Sequence, residues 1–237
     1  MSSARSPGFA PESAASPSSP ASSLAWRVRM YASAWRVNCA RTLSICSLES
    51  AIALVYAGMV LVCDERTVLR SPRLEDATRL FAAIDSSREY LRRWLPWVDE
   101  STSAVQTREF LRSAIAGAAE GKSLILLIEH ERDLGGTAGF NWIDPANSSC
   151  EIGYWLREDL QRRGIMTACC RALVGHAFDG LGLNSVRISA AAGNERSRRI
   201  PERLGFQLGG VIREAERLPH GFVDLAVYTL LRREHGA

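Results

Sequence analysis

The sequence predicts one mixed α/β or α+β domain over residues 63–237, and three features predict it. First, residues 150–156 alternate, with Ile152, Tyr154 and Leu156 set against Glu151, Gly153 and Trp155, which is the period of a strand. Second, the period lengthens after Gly164. Ile165, Cys169, Ala172, Leu173 and Ala177 recur on one helical stripe of the kind that packs on a sheet. Third, residues 185–191 alternate again, Val186, Ile188 and Ala190 against Arg187, Ser189 and Ala191, so strands flank that helix on both sides.

Composition sets the class. The 46% hydrophobic and 23% charged content is that of an ordinary globular chain, long enough for one sizeable core or a domain plus a tail. A net charge of +3 does not argue for nucleic acid, and arginine in excess over the single lysine, Lys122, reads as compositional bias rather than an RNA-binding surface. The six cysteines, Cys39, Cys46, Cys63, Cys150, Cys169 and Cys170, form no C-x-x-C pair or Cys/His cluster, which predicts no metal. Free thiols suit a reducing cytoplasm. Cys169 and Cys170 point about 100° apart on a helix, so the expectation is that at most one faces the core.

Residues 1–62 form an extension. Its first 24 residues are mostly Ser, Ala, Pro and Gly and are expected to be disordered. The Trp26 and Trp35 near-repeat is too short for a repeat fold, and the uncharged run from Ser50 to Cys63 falls short of the roughly 20 residues a membrane span needs. Glu12 is the only acidic residue before Glu49. A start codon assigned too early, a genuine tail and a targeting segment all fit.

Within the domain, Thr67-Val68-Leu69-Arg70 reads as a first strand, and Arg73 to Ala77 opens a helix carrying Leu80, Phe81 and Ile84. A second helical patch covers residues 86–94. Pro96 ends it inside Trp94-Leu95-Pro96-Trp97, leaving two indoles by the loop. Residues 102–119 form a helix with Phe110, Leu111, Ile115 and Ala118 as its stripe. Residues 123–129 and 136–143 are two strands with a hairpin signal at Asp133-Leu134-Gly135-Gly136. The helix opening near Ile165 runs to about Leu181. After residues 185–191, Asn194 suits the N-cap of another helix, which Pro201 bends or shortens. Residues 206–212 and 222–231 are closing strands joined through residues 213–221.

Chemistry concentrates in the loop Gln161-Arg162-Arg163-Gly164 and the helix it leads into. The first turn of a helix has N–H groups without intrahelical partners and a partial positive charge. Two arginines and a glycine that lets the backbone approach make it a pyrophosphate site.

Here Gln161-Arg162-Arg163-Gly164-Ile165-Met166 resembles the loop of the GNAT acetyltransferases that holds the pyrophosphate of acetyl-CoA, except that Met166 stands where the family has a small residue. The run Gly193 to Phe206 resembles the turn of that family from its fifth strand into its fourth helix. Trp94-Leu95-Pro96-Trp97 is similar to a segment of the branch that acetylates ribosomal-protein N-termini. The resemblance implies a mixed, mostly antiparallel sheet with a V-shaped split between the fourth and fifth strands, here residues 150–156 and 185–191, and acetyl-CoA as co-substrate in that split. It implies cofactor contacts from Tyr154, Trp155, Leu156, Gln161, Arg162, Arg163, Gly164, Ile165, Met166, Thr167, Asn194 and Ser197.

The family's helix tyrosine, a proton donor to the sulfur, is replaced by Pro201. The ribosomal branch lacks it too and carries a serine three residues after the asparagine, here Ser197, as a hydrogen-bond donor to the departing thiolate. Its glutamate in an Ala-Glu pair falls at Ala215-Glu216, the candidate base acting through a water. Glu151 is the rival base or a holder of the cationic substrate, and Trp94 and Trp97 border the acceptor. Tyr228 is an alternative acid, His176 a boundary packing residue, and His130, His220 and His235 have no visible partner.

The resulting expectation is a cytoplasmic N-acetyltransferase, monomeric or homodimeric, acting on a protein N-terminus such as that of a ribosomal protein. A small amine is the alternative acceptor. A non-catalytic acyl-CoA-binding module is the alternative of another class, invited by Pro201.

Overall fold

The computed structural model describes residues 58–236. The Ser/Ala/Pro-rich segment and the Trp26 and Trp35 near-repeat lie outside the described residues. One eight-stranded sheet organises the domain, in the order β1-β2-β3-β4-β5-β6-β8-β7. Its strands are β1 (Val60–Val62), β2 (Thr67–Arg70), β3 (Leu124–His130), β4 (Asp133–Asp144), β5 (Ser149–Leu156), β6 (Ser185–Ala191), β7 (Gln207–Leu218) and β8 (Gly221–Leu231). Every neighbouring pair is antiparallel except β5 and β6. The sheet begins before the expected boundary at residue 63, because Val60–Val62 pairs with β2 as an edge strand.

Helices cover both faces. On one, α4 (Ile165–Gly175) and α5 (Glu195–Arg203) bury Cys169, Leu173 and Ile200 against Phe140, Ile152, Ile188 and Tyr228. On the other, α1 (Ala77–Asp85), α2 (Arg88–Leu91) and α3 (Ala104–Ala119) bury Leu80, Ile84, Leu91 and Leu111 against Leu127, Leu134 and Trp155. Alternation assigns the faces: Leu126 and Ile128 of β3 join the first core and Leu127 the second. Each such side chain contributes about 1.5–3 kcal/mol by leaving water. The Arg70 guanidinium grips the buried Asp76 carboxylate at 2.7 and 2.8 Å and Glu129 at 2.8 Å, tying the start of α1 to β2 and β3. Burial pushes the Asp76 carboxyl up, but Arg70 and the Arg73 N–H more than offset it and hold it below the ordinary carboxylate range.

Several local expectations are corrected. The β3–β4 turn is Glu131-Arg132, both left-handed at φ 52° and 70°, and not the Gly-Gly pair, which lies within β4. There Gly136 passes so close to β5 that a Cβ would stand 2.2 Å from the Trp155 carbonyl oxygen. The α3 stripe is Thr107, Leu111, Ala114 and Ala118, while Phe110 and Ile115 are 45% and 39% exposed. Cys169 and Cys170 are both fully buried, because α4 packs on the sheet and also against α5. The helix widens into a π turn at His176–Gly180, where the imidazole of His176 occupies the space a Gly180 side chain would need. The segment expected to join the last two strands is itself strand: β7 and β8 run on to a tight turn at Pro219-His220.

Candidate active site

The site begins where the sheet comes apart. The parallel pairing of β5 with β6 covers Ser149↔Ser185 to Ile152↔Ile188 and then stops. Beyond it β5 stays with β4 as far as Leu156, and β6 stays with β8 as far as Ala191. The strands diverge because each keeps its outer partner, which leaves main-chain groups of residues 153–156 facing an opening instead of a neighbour. A cavity of about 1290 Å³ fills that opening. Gly153, Tyr154, Trp155 and Leu156 form one wall and Ser189, Ala190 and Ala191 the other.

At one end lies the basic loop. Arg162 and Gly164 both have left-handed backbones, φ 64° and 80°, which turns successive N–H groups to one side in the manner of an anion-binding nest. Gly164 is the N-cap of α4 and offers no side chain, so the first-turn N–H groups from Ile165 to Thr167 keep their capacity for a ligand. Open space surrounds the Cβ position of Gly164. Ile165 and Met166 turn their side chains toward the core, so a methionine in place of a small residue leaves the main chain clear. Gln161 fixes the loop, its amide donating to the Leu156 carbonyl at 3.2 Å and its oxygen accepting from Arg196 at 3.4 Å. Arg162 lines the cavity. The Arg163 guanidinium does not: it donates to the Asp159 carbonyl at 2.9 Å.

Across the opening, Asn194 caps α5 by accepting from the Ser197 N–H at 3.2 Å. The Ser197 hydroxyl stands 3.0 Å from the Tyr154 hydroxyl, which also donates to the Ser197 carbonyl at 3.2 Å. That carbonyl would ordinarily accept the N–H four residues on, but Pro201 has none. The proline thus leaves α5 intact to Arg203 and frees the acceptor that Tyr154 takes. Burial pushes the Tyr154 phenol well above its ordinary pKa and keeps it a neutral donor. Its hydroxyl is an element the sequence reading missed, having assigned Tyr154 to core packing and main-chain contact.

At the far end two acids converge. Glu151 on β5 accepts from the Ser189 hydroxyl at 3.0 Å. Glu216 lies on β7 opposite Val223, and burial, followed by the charge of Glu151, pushes its carboxyl above the ordinary range. It is a strand residue and not the loop residue expected. Trp94 and Trp97 also line the cavity, with the Trp97 ring tilted against Trp155 at 6.0 Å, and Phe110 joins the lining from α3.

The remaining candidates fall outside. Tyr228 is 1% exposed and its hydroxyl is engaged, accepting from Arg198 at 2.9 Å and donating to Glu202 at 2.8 Å, so it is no acid for this cavity. His176 stacks on Phe140 and burial pushes it down to about 4. His130 shares a hydrogen bond of 2.8 Å with Thr67, and His235 lies against Phe178. Among the described residues no three His, Cys, Asp or Glu side chains gather to hold a metal ion, and no helix is long and apolar enough to cross a membrane.

A split sheet, an anion nest at a helix N-terminus and a serine hydroxyl between them suit a ligand that carries a pyrophosphate at one end and a thioester at the other. Residues 66–207 match the family described as "Acetyltransferase (GNAT) domain". The chain belongs to the GNAT acetyltransferases. It is 34% identical over 172 residues to the putative ribosomal N-acetyltransferase YdaF of Bacillus subtilis, covering 72% of this chain and 94% of that one. It is 30% identical over 149 residues to the ribosomal-protein-serine acetyltransferase of Escherichia coli, covering 63% and 83%. Among solved structures, RimL, a ribosomal L7/L12 α-N-protein acetyltransferase in complex with coenzyme A, superimposes with a TM-score of 0.70 at 26% identity, over 73% of this chain and 98% of that one. The microcin C7 self-immunity acetyltransferase MccE, in complex with acetyl-CoA and AMP, gives 0.69 at 27%, over 71% and 94%. This GNAT chain is an acyltransferase that takes acetyl-CoA as co-substrate. Its described residues fit that ligand at the loop, the open strand edge and Ser197.

Proposed function

We propose that this GNAT enzyme acetylates the N-terminal α-amine of a protein, a ribosomal protein first among the candidates, in a cytoplasmic setting. The observation that carries the reading is the meeting of Glu216 and Glu151 in the same cavity that Gln161, Arg162 and Gly164 line. Both acids attract an ammonium, and one of them is a carboxyl whose raised pKa improves it as a base.

The roles follow from position. Main-chain N–H groups near Tyr154–Leu156 polarise the thioester carbonyl. Glu216 takes the proton of the amine, through a water, and the amine then attacks. Ser197, its hydroxyl supported by Tyr154, donates to the departing thiolate. A carboxyl base suits an α-amine, whose pKa is about 7.7–8.0, better than an alkylamine near 10.4, because less free energy is needed to bring it to the neutral form. The names of the similar proteins point the same way.

The test is thiol release from acetyl-CoA with Ser- and Ala-starting peptides, polyamines and aminoglycosides offered in parallel. Turnover with the peptides is the expected result. Turnover confined to small amines would overturn the acceptor assignment, and coenzyme A binding without any turnover would make the chain a binding module.

A further inference from the structure

Asn141 is a polar cavity residue that neither the fold nor the chemistry above employs. It is the extra residue of a β-bulge. β4 and β5 keep step from Gly136↔Leu156 to Phe140↔Ile152, and pairing then resumes at Trp142↔Glu151, leaving Asn141 over. A bulge re-aims a side chain, and this one carries the carboxamide onto Gly153. A Cβ at Gly153 would stand 2.2 Å from Asn141 Oδ1, 2.4 Å from Nδ2 and 2.5 Å from Cγ. Glycine inside a strand is costly because it packs nothing and loses much entropy on folding. Here the missing side chain is the space that the carboxamide fills.

The position has chemical meaning. Gly153 is the first β5 residue past the last β5–β6 pair, so the carboxamide stands at the apex of the split, on the face that carries Glu151. The side chain is exposed, lines the cavity and makes no hydrogen bond to another of the described residues. Its oxygen accepts and its nitrogen donates, which is the complement of a peptide group. The two carboxylates attract any cation, whereas a peptide N-terminus differs from an alkylamine in carrying a carbonyl and then an N–H beside the reacting amine. A neutral group with both polarities reads that difference.

We propose that Asn141 binds the first peptide group of the acceptor and so selects peptide N-termini over alkylamines, a positioning role that rests on the acceptor reading above. The experiment compares wild type, Asn141→Ala, Gly153→Ala and the double variant with a Ser-starting peptide, using a diamine as acceptor or competing ligand and coenzyme A affinity as control. Asn141→Ala is expected to raise the peptide KM about 10-fold, the worth of a hydrogen bond or two, with kcat, diamine affinity and coenzyme A affinity little changed. Gly153→Ala is expected to reproduce this, since its methyl group displaces a flexible side chain rather than backbone, and the double variant should be no worse than either single one.

An unchanged peptide KM in Asn141→Ala would overturn the proposal, as would equal losses for peptide and diamine. A wild type that acetylates the peptide while Asn141→Ala matches it sinks this inference alone. A wild type that takes no peptide sinks the acceptor reading with it.

Discussion

Burial and the charge of Glu151 both raise the pKa of Glu216, and rate and stability respond to that shift in opposite directions. As a base the carboxyl must be ionised, so the acid limb of kcat/KM should lie above the ordinary carboxylate range. Between its unfolded and folded pKa values the native state holds the proton more tightly than the unfolded chain. Stability therefore falls as pH rises through that window. Glu216→Gln should lower kcat by about 10²–10⁴-fold, remove that limb of the pH profile and raise the melting temperature at pH 7–8. A variant that loses activity and stability together would mark a structural role instead. Tyr154→Phe removes the hydroxyl beside Ser197 but keeps the ring in the core. A kcat lowered about 3- to 10-fold with acetyl-CoA affinity retained is the expectation for one neutral hydrogen bond, and an unchanged kcat would remove Tyr154 from the chemistry.

Among elements, the strand, loop and helix around Gly164 are legible in the sequence because their signals are local: a period of two, a left-handed glycine, then a period near 3.6. Ser197 and Glu216 become legible through the family resemblance, since they lie on α5 and β7 and only the folded sheet brings them to one cavity. What escapes has a physical reason in each case. Glu131 and Arg132 adopt the left-handed turn without the glycine or asparagine that would announce it, so Gly135-Gly136 attracts the assignment. Phe110 and Ile115 are apolar but outside the buried stripe, and the Asn141 bulge leaves no trace in periodicity. The loop yields an element-scale prediction. Gly164→Glu should cost about 1–2 kcal/mol for a side chain at φ 80° and leave the fold intact, because nothing lies within 4 Å of its Cβ. Coenzyme A affinity should nevertheless fall more than about 100-fold, as a carboxylate beside the pyrophosphate sets like charges together. Calorimetry that finds the affinity unchanged would move the pyrophosphate elsewhere.

Across the whole molecule, the sheet is two halves joined by little direct pairing. β1 to β5 carry α1 to α3, and β6, β8 and β7 carry α5, while among the described residues the only ladder between the halves is the short stretch from Ser149↔Ser185 to Ile152↔Ile188. The first core, under α4, holds them together, and the cavity separates them where the β5–β6 pairing stops. A ligand lying in the split touches both halves and supplies strand-edge partners that neither offers the other. Binding should thus raise stability by about 2.7 kcal/mol at a concentration of 100 times Kd, and the local effect should concentrate where pairing is absent. In hydrogen exchange at short times, when only local openings report, coenzyme A is expected to slow the amides of residues 153–156 and 189–191 more than those of β2 and β3. Slowing spread evenly over the sheet, or confined to the far edge at β1 and β2, would mean that the ligand does not lie between β5 and β6. It would also detach Ser197, Asn141 and Glu216 from the reaction at once, because all three owe their place in the site to that split.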